Sequence, residues 1–401
     1  MSKFVKLSSV ADLTVGFVGT MAKHYEEEGV PFLRSLNIKP FKIIGDDMKY
    51  VSAEFSNSIS KSILHEGDVV IVRTGIPGTC CVVPAEYDGC NCSDVVIVHP
   101  NTDLVNPHYL AAYINVWGQR QIQNNKVGAI QQHFNVHSAE EMLVFLPDIE
   151  KQKDIAAVIV ALNSKIENNN SVCAELETMA KTLYDYWFTQ FDFPNADGKP
   201  YRSSGGEMIW NNQLKREIPK GWEVTSIGNV TQNYDSKRIP LSQNERNTMK
   251  GDVPYYGATG VMDYVNRHIF DGHFVLIAED GSVMDAKGNP IVQMIWGKTW
   301  INNHTHVLQG CNGYSNELLY LLLQHIPVVK IMTGSIQKKI NQDNLNTYRI
   351  PHIPDSISQA FYEIVKPMFK KIRSLQQENN ELTKLRDWLL PMLMNGQATV
   401  E

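Results

Sequence analysis

Lys126-Val-Gly-Ala-Ile-Gln-Gln-His-Phe-Asn135 and Met332-Thr-Gly-Ser-Ile-Gln-Lys-Lys-Ile-Asn341 share one pattern. Gly128, Ile130, Gln131 and Asn135 recur as Gly334, Ile336, Gln337 and Asn341, each time 206 residues further on. An apolar-Pro step follows each stretch, Leu146-Pro147 and Ile353-Pro354, and a long helical pattern follows that. A repeat of long period outranks any single element assignment, because it says that the chain builds one supersecondary unit twice.

The helical patterns repeat at the same separation. Ile166, Asn169, Cys173, Leu176, Ala180, Leu183 and Trp187 alternate three and four residues apart, as do Ile372, Leu375, Asn379, Leu382, Arg386, Leu389 and Leu393. Such spacing holds one helix face against a partner helix as a heptad seam. Ile166, Leu176, Leu183, Ile372, Leu382 and Leu389 are its expected apolar centre, with Met179 and Leu385 widening the stripe. Asn169, Asn379 and Arg386 weaken the seam and help fix its register.

The halves that precede the helices correspond more loosely. Val30-Pro-Phe-Leu33 matches Val253-Pro-Tyr-Tyr256, and the run from Leu64 to Gly75 matches that from Ile269 to Gly281. In both runs a Gly turn feeds a β-branched strand that ends at another Gly. Asn91 to Val98 then matches Asn302 to Leu308, and a short helix follows each, Pro107 to Trp117 and Asn316 to His325. The expected fold is α+β, with two globular α/β domains joined by two long helices in an antiparallel coiled coil and an internal pseudo-twofold repeat. Its expected bounds are domain 1 at 1–148, helix 1 at 149–190, a linker at 191–217, domain 2 at 218–354 and helix 2 at 355–401. The linker, rich in Pro, Gly and Ser, runs from Phe191 toward Gly206, and Ile218-Pro-Lys-Gly-Trp222 opens the second domain.

Composition narrows the function class. Net charge is −6; residues 1–150 hold 11 Lys+Arg against 17 Asp+Glu, and residues 221–354 hold 11 of each. There is no basic tail or arm, so any nucleic-acid binding uses local clusters or a partner's charges. The longest apolar run, Ile155 to Leu162, is too short to span a bilayer, and the opening Met-Ser-Lys-Phe-Val-Lys lacks a secretory core. A cytoplasmic protein with no membrane contact is expected. Cys80-Cys81, Cys90-x-Cys92, Cys173 and Cys311 lack a C-x2-C knuckle and read as buried or half-buried free thiols rather than metal ligands.

Further motifs complete the pattern: Gly29-Val-Pro-Phe-Leu-Arg-Ser-Leu-Asn-Ile-Lys39, Gly67-Asp68 with Arg73-Thr74-Gly75, Tyr256-Gly-Ala-Thr-Gly260, Asp280-Gly-Ser282 and Asn302-Asn-His304. In their order and duplication these residues resemble, over essentially the whole chain, the specificity subunits of type I restriction-modification systems. The resemblance implies two target-recognition domains that each read half of a split site in double-stranded DNA. It implies helices that space the readers and dock two modification (DNA methyltransferase) subunits, with restriction/translocase subunits joining that core. The residues themselves show no Gly-rich cofactor loop, no Gly-x4-Gly-Lys-[Ser/Thr] loop and no Asp…Glu-x-Lys triad, so no catalytic site, cofactor or metal is expected. Roughly 34 residues from Ala156 to Gln190, at about 1.5 Å each, give a rod of about 50 Å, against about 34 Å for a DNA turn. One departure stands out: Arg73-Thr74 of the first copy are Glu279-Asp280 in the second.

Base edges are read by side-chain donors and acceptors, while Lys and Arg on phosphates set register. The candidates in the first copy are Arg34, Asn37 and Lys39; Arg73 and Thr74; and Lys126, Gln131 and Gln132. Those in the second are Lys237 and Arg238; Lys250; Asn302, Asn303 and His304; and Lys338 and Lys339. His133, His304 and His306 read as surface or readout residues, and Gly128 and Gly334 as backbone turns. Two other classes compete. Asn106-Pro107-His108-Tyr109 superficially suggests an adenine methyltransferase loop, but it lacks a second Pro and no Gly-rich cofactor loop precedes it. An adaptor that only binds proteins through its helices is the other.

Overall fold

The structure, a computed structural model, describes residues 3–118, 121, 134–285, 287–334, 338–395 and 397–398. Most of the repeated Gly-x-Ile-Gln stretch thus lies outside the described residues, with Lys126, Gln131, Gln132, His133, Ile336 and Gln337. Gly334 is described, and its φ of 85° is the left-handed turn expected of it. The chain forms two compact units, unit 1 from Met1–Asn169 with Glu378–Glu401 and unit 2 from Asn170–Gln377.

The main strands of unit 1 are β1 (Lys3–Lys6), β2 (Ala11–Val15), β3 (Val30–Leu33), β4 (Lys49–Val51), β5 (Val69–Val72), β6 (Cys80–Val82), β7 (Asn91–Cys92), β8 (Val95–Pro100) and β9 (Leu143–Leu146). Its central sheet has the order β2-β8-β5-β6, and β3 sits between β4 and β7. The apolar run Val69–Val72 forms a strand buried on both faces, at 0–2% exposure throughout. Each such side chain contributes about 1.5–3 kcal/mol by leaving water. Two short helices follow, α1 (Pro107–Tyr113) and α2 (Val136–Glu140). The long helix α3 (Ile149–Tyr184) comes next and continues as a wider turn to Thr189.

The main strands of unit 2 are β10 (Met208–Asn211), β11 (Arg216–Pro219), β12 (Val224–Ser226), β13 (Thr231–Asn233), β14 (Lys250–Gly257), β15 (Gly260–Val265), β16 (Phe270–Ala278), β17 (Val292–Ile301), β18 (Thr305–Gly310) and β19 (Arg349–Pro351). Its sheet order, β13-β18-β16-β17-β14-β15, opens with the topology of unit 1. Here β17 is continuous, pairing β16 along most of its length and β14 at its end. In unit 1 the same work is divided between β6 and β7. Gly272, expected to be a turn before the strand, lies inside β16. The segment after Phe191 is ordered, with Phe193 stacked on both Tyr201 and Trp222. Helices α4 (Asn316–Gln324), α5 (Gln342–Thr347) and α6 (Asp355–Met394) complete the chain. The repeated Asn135 and Asn341 are N-caps, accepting from Ser138 N at 2.8 Å and Asn344 N at 2.7 Å.

All fourteen seam residues named above are buried or half-buried. In unit 1, Asn169 Nδ2 donates to Asn379 Oδ1 at 2.8 Å and to Glu378 Oε2 at 3.0 Å. Arg386 Nη1 donates to Asn163 Oδ1 at 2.9 Å. In unit 2, Cys173 Sγ lies 3.8 Å from the Ile372 carbonyl. Partner numbers fall along α6 as they rise along α3, which makes the pairing antiparallel. The stripe is narrower than expected, since Met179 and Leu385 remain 55% and 43% exposed.

Asn169 is 1% exposed, so its amide loses its water and depends on Asn379 and Glu378. Asn169→Ala should destabilise unit 1 by about 1–3 kcal/mol by leaving buried polar groups unmet. Asn169→Leu combined with Asn379→Leu should recover most of that loss. Urea denaturation of the three proteins checks both; a double variant no more stable than the single one would show that this layer is not a hydrogen-bonded pair.

Candidate nucleic-acid interface

Three strand ends meet at one place in unit 1. Strand β3 ends at Leu33 and delivers Arg34, β5 ends at Val72 and delivers Arg73 and Thr74, and the β7–β8 junction delivers Ser93 and Asp94. Backbone bonds hold them in register, Ser93 N to Leu33 O at 2.9 Å and Arg73 N to Asp94 O at 3.0 Å. Together with Phe17, Val18 and Tyr25 they line a recess of about 370 Å³. The Arg73 Nε donates to the Phe134 carbonyl at 3.1 Å. Arg34 bonds the Asp47 carboxylate at 2.9 Å, while its Nε is buried and has no acceptor among the described residues.

Unit 2 repeats the backbone and changes the side chains. Asn302 N donates to Tyr256 O at 3.1 Å, and Glu279 N to His304 O at 2.9 Å. Glu279 and Asp280 now stand where Arg73 and Thr74 stood, inside a network of charges. Arg238 reaches Glu279 at 2.7 Å, Asp235 at 3.5 Å and the Thr305 carbonyl at 2.8 Å. Lys339 lies 3.4 Å from Glu279 and 3.8 Å from Asp280, and His304 bonds Asp280.

His306, read from sequence as a surface or readout residue, is 2% exposed. Its Nδ1 meets Asp235 at 2.5 Å and its Nε2 the Ile340 carbonyl at 2.8 Å. Burial disfavours the charged ring, but the Asp235 hydrogen bond and charge, the Ile340 carbonyl and Glu279 outweigh it and hold the pKa above the ordinary value. Burial likewise pushes the Asp235 carboxyl up, and its bonds to His306 and the Val307 N–H more than reverse this. Asp235, Glu279 and His306 are the one group with metal-type ligand spacing among the described residues. Arg238 already occupies both carboxylates, so the group reads as a salt-bridged brace. Its place inside the run Thr305-His-Val-Leu308, a strand segment buried on both faces, was the available sequence signal for an inward-facing ring.

The remaining candidates divide into groups. Three are withdrawn. Asn37 is fully buried, and its amide ties down the loop through Ile44 and Asp46 carbonyls at 3.1 and 3.0 Å. Asn302 is 3% exposed and accepts from His304 N at 2.9 Å. Arg238, at 14% side-chain exposure, is consumed by the network above. Lys39 and Asn303 are exposed and Lys338 half-buried. Lys237 lies over the Tyr234 ring at 5.0 Å. Lys250 pairs with Asp263 at 2.7 Å, and nothing among the described residues ties it to either cluster. Lys126 and Gln132 lie outside the described residues. The structure therefore gathers Arg34, Arg73 and Thr74 in unit 1, and His304 and Lys339 in unit 2.

Elsewhere, Asn106 of the Asn-Pro-His-Tyr stretch caps α1, accepting from His108 N at 3.0 Å and Tyr109 N at 3.1 Å. Five cysteines are buried, Cys311 is half-buried, and all six are free. No helix among the described residues is long and apolar enough to cross a membrane.

Residues 219–384 match the family model described as "Type I restriction modification DNA specificity domain". The chain is 26% identical over 278 residues to the type I restriction enzyme MjaIX specificity subunit of Methanocaldococcus jannaschii, covering 65% of this chain and 62% of that one, less than two thirds of the relative's length. It is 22% identical over 425 residues to the type I restriction enzyme HindI specificity subunit of Haemophilus influenzae, covering 87% and 91%. The crystal structure of a type I restriction-modification S subunit from M. genitalium shares the fold across 98% of this chain and 96% of that one, with a TM-score of 0.55 at 15% identity.

The His306 brace has a pH signature. A histidine whose folded pKa is raised adds stability that is fully present below its unfolded value of about 6.5 and fades as pH climbs through the folded value. His306→Gln should cost about 3 kcal/mol near pH 6, and visibly less near pH 9. Denaturation midpoints across that range test this; a penalty that grows with pH would mean the ring is held neutral.

Proposed function

Because this chain belongs to the specificity subunits of type I restriction-modification systems, we propose that it reads a split site in double-stranded DNA, one half with each unit, and carries no catalysis itself. It works in the cytoplasm without cofactor or metal. Its paired helices dock two DNA methyltransferase (modification) subunits, and restriction/translocase subunits join that assembly. The observation that carries this reading is the duplicated strand-end site. The same backbone bonds position it in both units, while its side chains run from guanidinium in one to carboxylate, imidazole and ammonium in the other. A scaffold kept constant under changing polar side chains is what two half-sites of different sequence require. An adaptor that bound only proteins would have no use for that divergence.

The recognition role is tested by exchange. Replacing residues 1–145 with the corresponding part of another such subunit, while keeping both helices, should alter one half of the methylated motif and leave the other intact. Sequencing of methylated host DNA reads the result, and a change in both halves together would overturn one unit per half-site.

Docking is tested on the helices. Leu176→Asp and Leu382→Asp place a carboxylate in the seam, at a cost of several kcal/mol, and should weaken co-purification of the methyltransferase subunits. Undiminished co-purification from a verifiably disrupted seam would place docking elsewhere.

A further inference from the structure

The recess in unit 1 differs from its counterpart in unit 2 by having donors to spare. Arg73 is fixed from two sides, its backbone N–H on Asp94 O at 3.0 Å and its Nε on Phe134 O at 3.1 Å. Its two terminal nitrogens have no acceptor among the described residues. A guanidinium held by its Nε edge presents those nitrogens as a pre-aimed fork, the geometry that meets the O6 and N7 acceptors of guanine in the major groove. Behind it sits Arg34, whose side chain is 17% exposed and whose Nε is a second buried donor without an acceptor. Beside it, Val18 stands 72% exposed, an apolar group at the rim that no described core explains.

We propose that Arg73 is a specificity-determining residue that reads a guanine in the half-site of unit 1, with the unpaired Nε of Arg34 as a second donor in the recess and Val18 packing against the neighbouring base. This rests on the DNA-reading role proposed above and adds a residue and a base to it. Phosphate anchoring fits Arg73 less well. Phosphate contacts are served by exposed, mobile cations, and this one is half-buried in a recess that also carries the Asp94 carboxyl, which disfavours an anion. Unit 2 has no equivalent donor at that position. Glu279 stands there instead, engaged by Arg238 and Lys339, and the exposed group is His304 at 51%. The two half-sites therefore differ at this point.

The test is selection from a randomised duplex library by the full chain assembled with its methyltransferase subunits, for wild type, Arg73→Gln and Arg73→Lys. Wild type should enrich one G·C pair in the half-site of unit 1. Arg73→Gln should lose roughly 5- to 150-fold of the preference at that pair alone. Arg73→Lys, which keeps the charge and loses the fork, should relax the same pair. Retained preference at the other pairs of the same half-site reports that unit 1 is folded in each variant. An unaltered motif would overturn the proposal. So would weakening that is uniform across sequences with a shallower salt dependence, the mark of a phosphate contact, and so would loss of both half-sites together. Absence of any sequence preference in wild type would instead overturn the DNA-reading role beneath it.

Discussion

The antiparallel pairing of α3 with α6 is the contact on which both units depend. In unit 1 the core takes Ile155, Ala156 and Ile159 from the start of α3, and Leu390, Leu393 and Met394 from the end of α6. In unit 2 it takes Cys173, Ala180 and Tyr184 from α3, and Phe361, Val365 and Phe369 from α6. The helices are thus walls of the cores rather than rods attached to finished domains. Unit 1 cannot close until residues near both ends of the chain have met, a long-range closure that pays its loop entropy before its contacts form. A seam of apolar residues alone would tolerate sliding by a heptad. The Asn169–Asn379 layer removes that freedom, because any other register leaves two amides buried without partners.

Once that register is set, the strand ends follow. In unit 1 the first strand, β1, pairs with β9, and in unit 2 β12 pairs with β19, in each case the last strand before the long helix. The central sheet then reaches the same junction of three ends. The backbone bonds there are indifferent to side chain, which is why Arg73-Thr74 and Glu279-Asp280 can occupy one position without disturbing the fold. What the change of sign does alter is the surroundings. A carboxylate at that point needs cations, and Arg238 and Lys339 supply them. A guanidinium needs an acceptor, and the Phe134 carbonyl supplies one while leaving the rest of the group available.

The seam was legible in the sequence because a 3.5-residue period has few other causes. Its width was not, since Met179 and Leu385 satisfy the period yet fall outside the helix contact. The fold class followed from the repeat, but the division of one long strand into β6 and β7 in unit 1 left no mark, because short β-branched runs look alike whether or not a loop separates them. The candidate site was legible only in part. Arg73 and Thr74 stood out by their mismatch with Glu279 and Asp280. Asn37, Asn302 and Arg238 look like surface groups in sequence, and their use as braces depends on partners far along the chain. His306 was missed for the same reason, its partner Asp235 being 71 residues away.

Charge then bears on the proposed reading of DNA by a chain of net −6. Affinity for a duplex comes mainly from phosphate neutralisation, and specificity from groups at base edges. The cations of unit 2 nearest the strand ends are spent on carboxylates, and those of unit 1 sit in a recess rather than along a stripe. Neither arrangement supplies the broad positive surface that non-specific binding needs. Both supply a few donors fixed by neighbours, which lose little freedom on meeting a base. On the DNA-reading role proposed above, a subunit built this way would contribute discrimination, and the attraction that brings DNA to it would fall to the proposed methyltransferase partners. Such a division has a physical advantage: a specificity subunit with weak general affinity does not hold the complex on the wrong sequence.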